Sequence, residues 1–131
     1  MIVADASAVA ELLLAGPQAA KVRAAMTPHP ELHVPEHFHV EVLSVLRRYS
    51  LRGELSDRRA AVALAALADL RTVSYSAMHL AEAIWDLRAA LSAYDAAYLA
   101  LAARLGAGVI TLDRGLAHAA SRRGLLGALP G

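Results

Sequence analysis

The sequence predicts a single α/β domain spanning residues 1–131. It should be a three-layer sandwich in which a short parallel sheet of four or five strands is flanked by about seven helices. Three observations carry that reading. Short apolar runs recur along the chain and alternate with longer segments of helical period. The composition, 57% hydrophobic and 5% aromatic with alanine heavily used, suits tightly packed helices better than a β-sandwich. No repeat, low-complexity tract or linker divides the chain, and 131 residues suffice for one core.

The elements follow in order. Met1–Ala4 is an apolar run that reads as a buried strand. It breaks at Asp5, and Ala6–Leu14 reads as a helix. Gly16-Pro17 stops that helix and starts another, with Pro17 at the first helical position. Thr27–Pro30 is a loop and Leu32–Val34 a second strand. A long helix runs from about Pro35 to Arg52 and ends at Gly53; Ser56 caps the next, to about Leu70. Thr72–Tyr75, β-branched and aromatic, is the third strand, and Ser76 caps the helix after it. A further helix, Ala93–Leu105, stops at Gly106. Gly108–Leu112 is the fourth strand, Asp113 opens a helix to about Arg122, and Leu125–Leu129 is a candidate fifth strand.

Composition also excludes function classes. The formal net charge is +1, so no global basic field draws in nucleic acid, and such contact must come from a local patch. With no cysteine, disulfides, thiolate chemistry and Cys-based zinc sites are ruled out. The apolar start carries Asp5 and Glu11 and lacks a basic n-region, so it does not read as a signal peptide. Charge-free stretches run to about ten residues, as at Thr72–Ala81, against the ~20 that a membrane helix needs. The expectation is a cytoplasmic protein with no membrane contact.

Four acids then stand out. Asp5 and Asp113 each follow a predicted strand and precede a helix, where Asp is also a good N-cap. Ligands of open parallel sheets gather beyond the carboxyl ends of the strands, where both acids sit. Glu41 lies within the apolar stripe formed by Phe38, Val42, Val45, Leu46 and Tyr49. A carboxylate facing a core is expensive unless paired or metal-bound, and neither Arg47 nor Arg48 falls at its i+3 or i+4 position. Glu41 at a boundary, reaching water, is the bland alternative. Asp95 answers Ser92 with capping-box spacing, or else joins the other acids at a positive helix end. Four converging carboxylates with no cationic partner require a divalent cation. All-oxygen ligands select a hard ion, Mg²⁺ or Mn²⁺, which suits phosphodiester hydrolysis by activated water.

Val3-Ala4-Asp5-Ala6-Ser7, Pro35 with Glu41-Val42-Leu43-Ser44-Val45-Leu46-Arg47-Arg48, Tyr94-Asp95-Ala96-Ala97-Tyr98-Leu99-Ala100-Leu101-Ala102 and Val109-Ile110-Thr111-Leu112-Asp113 span nearly the whole chain. In order, spacing and context they resemble the PIN-domain family, especially the VapC-type toxins of bacterial toxin–antitoxin pairs. The resemblance implies a Mg²⁺- or Mn²⁺-dependent endoribonuclease with Asp5, Glu41, Asp95 and Asp113 as catalytic and metal-binding residues. It makes Ser7 and Thr111 hydroxyl helpers. It also implies a homodimer, an RNA substrate and a cognate small antitoxin bound across hydrophobic helices near the site. The chain departs at Ser44, where many members carry Asn, and at Gly115, where some carry another acid; whether one or two metal ions bind stays open.

Other residues are weighed against this. A zinc site is disfavoured because His37 and His39, two apart, do not share a helix face, and Pro35 lies between His33 and His37. Arg47, Arg48, Arg52, Arg58 and Arg59 read mainly as solvated surface. Arg114, beside Asp113, is the preferred RNA contact. Trp85 and Leu87 read as core or dimer contact. Two rival classes remain: a phosphoryl-transfer protein pairing an Asp with a Lys, which fits poorly because the only Lys is Lys21, and a non-catalytic binding module on the same fold.

Overall fold

The computed structural model describes residues 1–127 and 129. Four strands, β1 (Ile2–Ala4), β2 (Leu32–Pro35), β3 (Thr72–Tyr75) and β4 (Gly108–Ile110), form one parallel sheet in the order β3-β2-β1-β4. Seven helices intervene: α1 (Ala6–Leu13), α2 (Ala19–Met26), α3 (Phe38–Leu51), α4 (Asp57–Asp69), α5 (Ala81–Asp86), α6 (Ala93–Leu105) and α7 (Arg114–Ser121). The helices α1 to α4 pack among themselves and α5 to α7 among themselves, with the sheet between. The expected α/β three-layer class is what the chain forms. No described helix is long and apolar enough to cross a membrane.

The sheet interior explains the strand sequences. β1 lies between β2 and β4 and is buried on both faces, so Ile2, Val3 and Ala4 are apolar without alternation. Its register sets Ala4 opposite Ile110 and Val3 opposite both Val109 and His33. α6 buries seven successive residues, Ala96 to Ala102. A helix covered all round must be narrow where neighbours approach, and alanine at four of those positions provides that. Gly106 ends it in the left-handed conformation (φ 62°), which a Cβ would disfavour.

Several boundaries differ from the sequence reading. Pro35 belongs to β2, opposite Tyr75, because the Glu36 amide continues the ladder to the Tyr75 carbonyl (2.9 Å) and delays α3 to Phe38. Pro17 lies in a turn. The Glu11 carboxylate accepts the Gln18 amide (2.9 Å), and α2 starts only at Ala19. Ser76 caps a short 3₁₀ turn, Ala77–Leu80, that leads into α5. Of the candidate fifth strand, Leu126 makes one isolated parallel bridge to Val109, while Ala128 is outside the described residues. That bridge depends on Gly127, where a Cβ would meet the Val109 carbonyl oxygen at 2.9 Å. Trp85 is not core: it is 66% exposed, with the Arg88 guanidinium 4.8 Å from its ring centroid.

The chain runs outward from β1 through β2 to β3, then returns to the other side of β1 as β4. The strand order therefore reverses at β1 and β4, the place where open parallel sheets form a crevice. Both strands end in an acid there.

Candidate active site

The Asp5 amide donates to the Ile110 carbonyl (3.0 Å), which fixes the ends of β1 and β4 side by side. Asp5 is 4% exposed and caps α1, with Oδ1 accepting from the Ala8 amide (3.1 Å) and from Ser7 Oγ (2.7 Å). Oδ2 accepts from Thr111 Oγ1 (2.7 Å). The two hydroxyls are themselves tied down: the Leu112 amide donates to Ser7 and the Asp113 amide to Thr111, both at 3.0 Å. Capping and site placement thus coexist at Asp5. Burial pushes its pKa above the ordinary 3.8, against the lowering effect of the three hydrogen bonds, and the Asp113 charge adds to the rise. Asp113 is exposed and caps α7, its Oδ2 accepting from the Leu116 amide (2.8 Å).

Glu41 is paired, contrary to the absence of a local ion pair read from the sequence. Its Oε1 accepts from Tyr98 Oη (2.6 Å) and lies 3.2 Å from His37 Nε2, one helical turn upstream. Burial opposes its ionisation, but the His37 and Tyr98 hydrogen bonds outweigh it and hold the pKa below normal. His37 moves the other way, raised chiefly by its bond to Glu41. Tyr98 is 1% exposed; burial, then the Glu41 bond and charge, push its phenol far up, so it stays a neutral donor. Replacing Tyr98 by Phe should therefore cost about 2 kcal/mol, the scale of a hydrogen bond to a charged group. A urea melt showing no loss would mean that the phenol is not anchoring Glu41.

Asp95 lies one turn before Tyr98 on α6. Its amide donates to Ser92 Oγ (3.2 Å), the hydroxyl half of the expected capping box. No return bond to the Ser92 amide accompanies it among the described residues. Burial raises the Asp95 pKa, and the charges of Asp113 and Glu41 raise it further. The four acids thus form one electrostatic chain: Asp5 to Asp113, Asp113 to Asp95, Asp95 to Glu41.

All four line one cleft of about 410 Å³, with Ser7, Ser44, Arg48, Tyr94 and Tyr98 among its other walls. Of the site residues expected from the sequence, the four acids and Ser7 lie on the walls of this cleft, and Thr111 reaches it only through its bond to Asp5. Arg114 is exposed at the start of α7 and does not line the cleft; Arg48, grouped with surface arginines, does. His37 and Tyr98 were missed as site residues. His37 stands four residues before Glu41 and Tyr98 three after Asp95, so the same-face rule, applied upstream for Glu41, signals them. His33 is taken by Tyr75 Oη (2.7 Å), and His37 Nε2 lies 3.2 Å from Glu41 Oε1, so both histidines already have partners within the protein.

The donor set is all oxygen, which suits a hard divalent ion rather than zinc. Among the described residues, no three His, Asp or Glu side chains are already gathered closely enough to hold one ion. The reason is visible in the bonds: Asp5 uses both oxygens inside the protein, Asp113 caps α7, and Glu41 is held by Tyr98 and His37. The oxygen chemistry of the site fits a hard divalent ion, which Asp5, Glu41, Asp95 and Asp113 would hold.

Fold and site together define an α/β domain with a carboxylate cluster at a sheet switch point. Comparison with known proteins narrows that class. The PIN domain family pattern matches residues 2–121. A protein of Mycobacterium bovis, VapC ribonuclease Mb0985, is 42% identical over 113 residues, 86% of each chain. Ribonuclease VapC12 of Mycobacterium tuberculosis is 35% identical over 118 residues, 90% of this chain and 91% of its own. The crystal structure of Mycobacterium tuberculosis VapC20, a Sarcin-Ricin loop cleaving toxin, matches 99% of this chain and 100% of its own with a TM-score of 0.72. At 20% identity that likeness concerns the fold. The chain belongs to the PIN-domain family, and relatives that it matches over most of their length are VapC ribonucleases.

Proposed function

We propose that the protein is a cytoplasmic endoribonuclease of the VapC type, a growth-inhibiting toxin that works with Mg²⁺ or Mn²⁺, acts as a homodimer and is neutralised by a small cognate antitoxin. The observation that carries the reading is the convergence of Asp5, Glu41, Asp95 and Asp113 on one cleft, with Arg48 as the cation among its walls. The ribonuclease names of relatives up to 42% identical support it.

Asp5, Asp95, Asp113 and Glu41 are the residues that would hold the ion. Bound there, it supplies Lewis acidity to the phosphodiester and to the attacking water. The protein's own groups do the rest. Ser7 and Thr111 hold the Asp5 carboxylate in one orientation, and Tyr98 and His37 do the same for Glu41. Arg48, on the wall, is suited to a phosphate oxygen of the substrate. The outward position of Asp95 and Asp113 leaves the cleft open to a strand.

Purified protein should cleave single-stranded RNA with Mg²⁺ or Mn²⁺ and stop with EDTA. Excess Mg²⁺ should raise the melting temperature by mass action, since an ion at 100 times its Kd stabilises by about 2.7 kcal/mol. Expressed alone, the chain should arrest growth, and the Glu41→Gln variant should not. Equal toxicity of the two, or a melt indifferent to Mg²⁺, contradicts the proposal.

A further inference from the structure

A second cleft, of about 580 Å³, opens along α7 and is lined by Ala90, Gly115, His118, Ala119, Arg122 and Arg123. Every ionisable group on its wall is basic, and no acid lines it, in a chain whose net charge is only +1. It begins beside the carboxylate cleft: a Cβ on Gly115 would sit 3.4 Å from Asp113 Oδ2. The acidic and basic clefts therefore meet at the N-terminus of α7 and separate along its length.

We infer that the α7 cleft is the path of the RNA strand on one side of the scissile bond, with Arg122 and Arg123 contacting successive backbone phosphates. The inference rests on the ribonuclease reading. The charge arrangement favours it, because a polyanion approaching four carboxylates is repelled unless cations hold it nearby. The side chains suit backbone contact rather than base reading: two arginines offer forked donors for phosphate, and Ala90, Gly115 and Ala119 leave room for the chain. Arg123 already spends one donor on the Ala119 carbonyl (2.9 Å), which directs its guanidinium along the helix and leaves its other donors for the cleft.

The geometry sets a length. Asp113 to Arg122 is nine residues of helix, a rise of about 14 Å. At the ~3.4 Å per nucleotide of a stacked strand, the arginines lie about four nucleotides from the reacting phosphate. Oligonucleotides must extend at least that far to gain from them.

The test measures binding of fluorescent single-stranded RNAs, 4 and 12 nucleotides long, to the wild-type chain and to Arg122→Ala/Arg123→Ala in EDTA, from 50 to 300 mM salt. The 12-mer should bind wild type more tightly than the 4-mer. Loss of both arginines should weaken the 12-mer at least tenfold at low salt. The slope of log Kobs against log salt should become shallower by about 1.4, two single-strand phosphates at ~0.7 each. Arg122→Lys/Arg123→Lys should recover most of the slope, which a purely structural role of Arg123 at the helix end would not produce. Cleavage of RNA by wild type with metal, joined to unchanged 12-mer affinity and slope in the Ala variant, overturns this inference and leaves the ribonuclease reading intact. Absence of both cleavage and RNA binding in wild type overturns the ribonuclease reading itself. Tighter capture of a polyglutamate peptide than of the 12-mer would make the surface a protein-binding one and also overturn the RNA path.

Discussion

Asp5→Asn should reduce RNA cleavage by at least about 100-fold, and Asp95→Asn by a similar factor. Asn preserves shape and capping ability but binds a hard cation poorly. Mutation of groups that merely orient metal ligands already costs about 10- to 100-fold, and a ligand itself should cost no less. The two sites differ in what else they do. Asp5 is tied to Ser7, Thr111 and the Ala8 amide, whereas the Asp95 carboxylate has no such set of bonds among the described residues. A loss at Asp95 therefore reports on chemistry with little confusion from structure. The measurement is the initial rate on a single-stranded RNA at saturating Mg²⁺. Cleavage within tenfold of wild type by the Asp5→Asn/Asp95→Asn double variant would remove these acids from the mechanism.

The same Asp5→Asn change should make the metal-free protein more stable. Its carboxylate is buried, and burial lifts its pKa above 3.8 although three hydrogen bonds pull the other way. The sign follows directly. A carboxyl whose folded pKa lies above its unfolded value binds its proton more tightly in the folded state, so its ionisation weakens the fold. Stability attributable to Asp5 is present below pH 3.8 and is lost as pH rises through the higher folded pKa. Asn keeps an acceptor for Ser7 and the Ala8 amide, and Thr111, which already accepts from the Asp113 amide, can accept the new amide and turn its own proton to Ser7 Oγ, 3.4 Å away. Removing the charge should then gain on the order of 1 kcal/mol, about 4 °C in a domain of this size. Mg²⁺ should narrow or reverse the gap, because only the wild type gains from the ion. Melts in EDTA from pH 4 to pH 8 check this. A variant less stable than wild type at pH 8 would show that the hydrogen bonds, not the burial, dominate at Asp5.

Asp5 thus combines a structural task, the cap of α1, with a burial that disfavours its charge. Glu41 makes the complementary case. It is stabilised as an anion by its neighbours, so its charge is set by the protein, while Asp5 and Asp95 carry charge reluctantly until something neutralises them. A divalent cation held by these acids would offset the charge on Asp5 and Asp95, whereas Glu41 is already held as an anion by Tyr98 and His37.

Much of this was written locally in the sequence. The runs Ile2–Ala4 and Val109–Ile110 are apolar on both faces because they are the two neighbouring strands covered by helices. Asp5, Ser56, Ser92 and Asp113 announce helix starts because a side-chain oxygen can meet an unpaired amide two or three residues on. Capping by itself also explains Asp5, Asp95 and Asp113, and the four acids could be chosen in advance because two stand at strand ends, one lies inside an apolar stripe, and all four fall in the motifs that resemble the family. Local pattern could not supply distance. That Thr111 reaches Asp5 across 106 positions, that Tyr98 reaches Glu41 across 57, and that Arg48 rather than Arg114 walls the cleft are consequences of strand order and helix rotation. The same holds for Pro35, whose helix-starting preference yielded to a ladder bond made by the next residue with a strand 39 positions away. Side-chain type and period determined which elements form and which residues are candidates for chemistry. The reversal of strand order at β1 and β4 sets Asp5 and Asp113 side by side, and the packing of α3 and α6 around that point brings Glu41 and Asp95 to the same cleft.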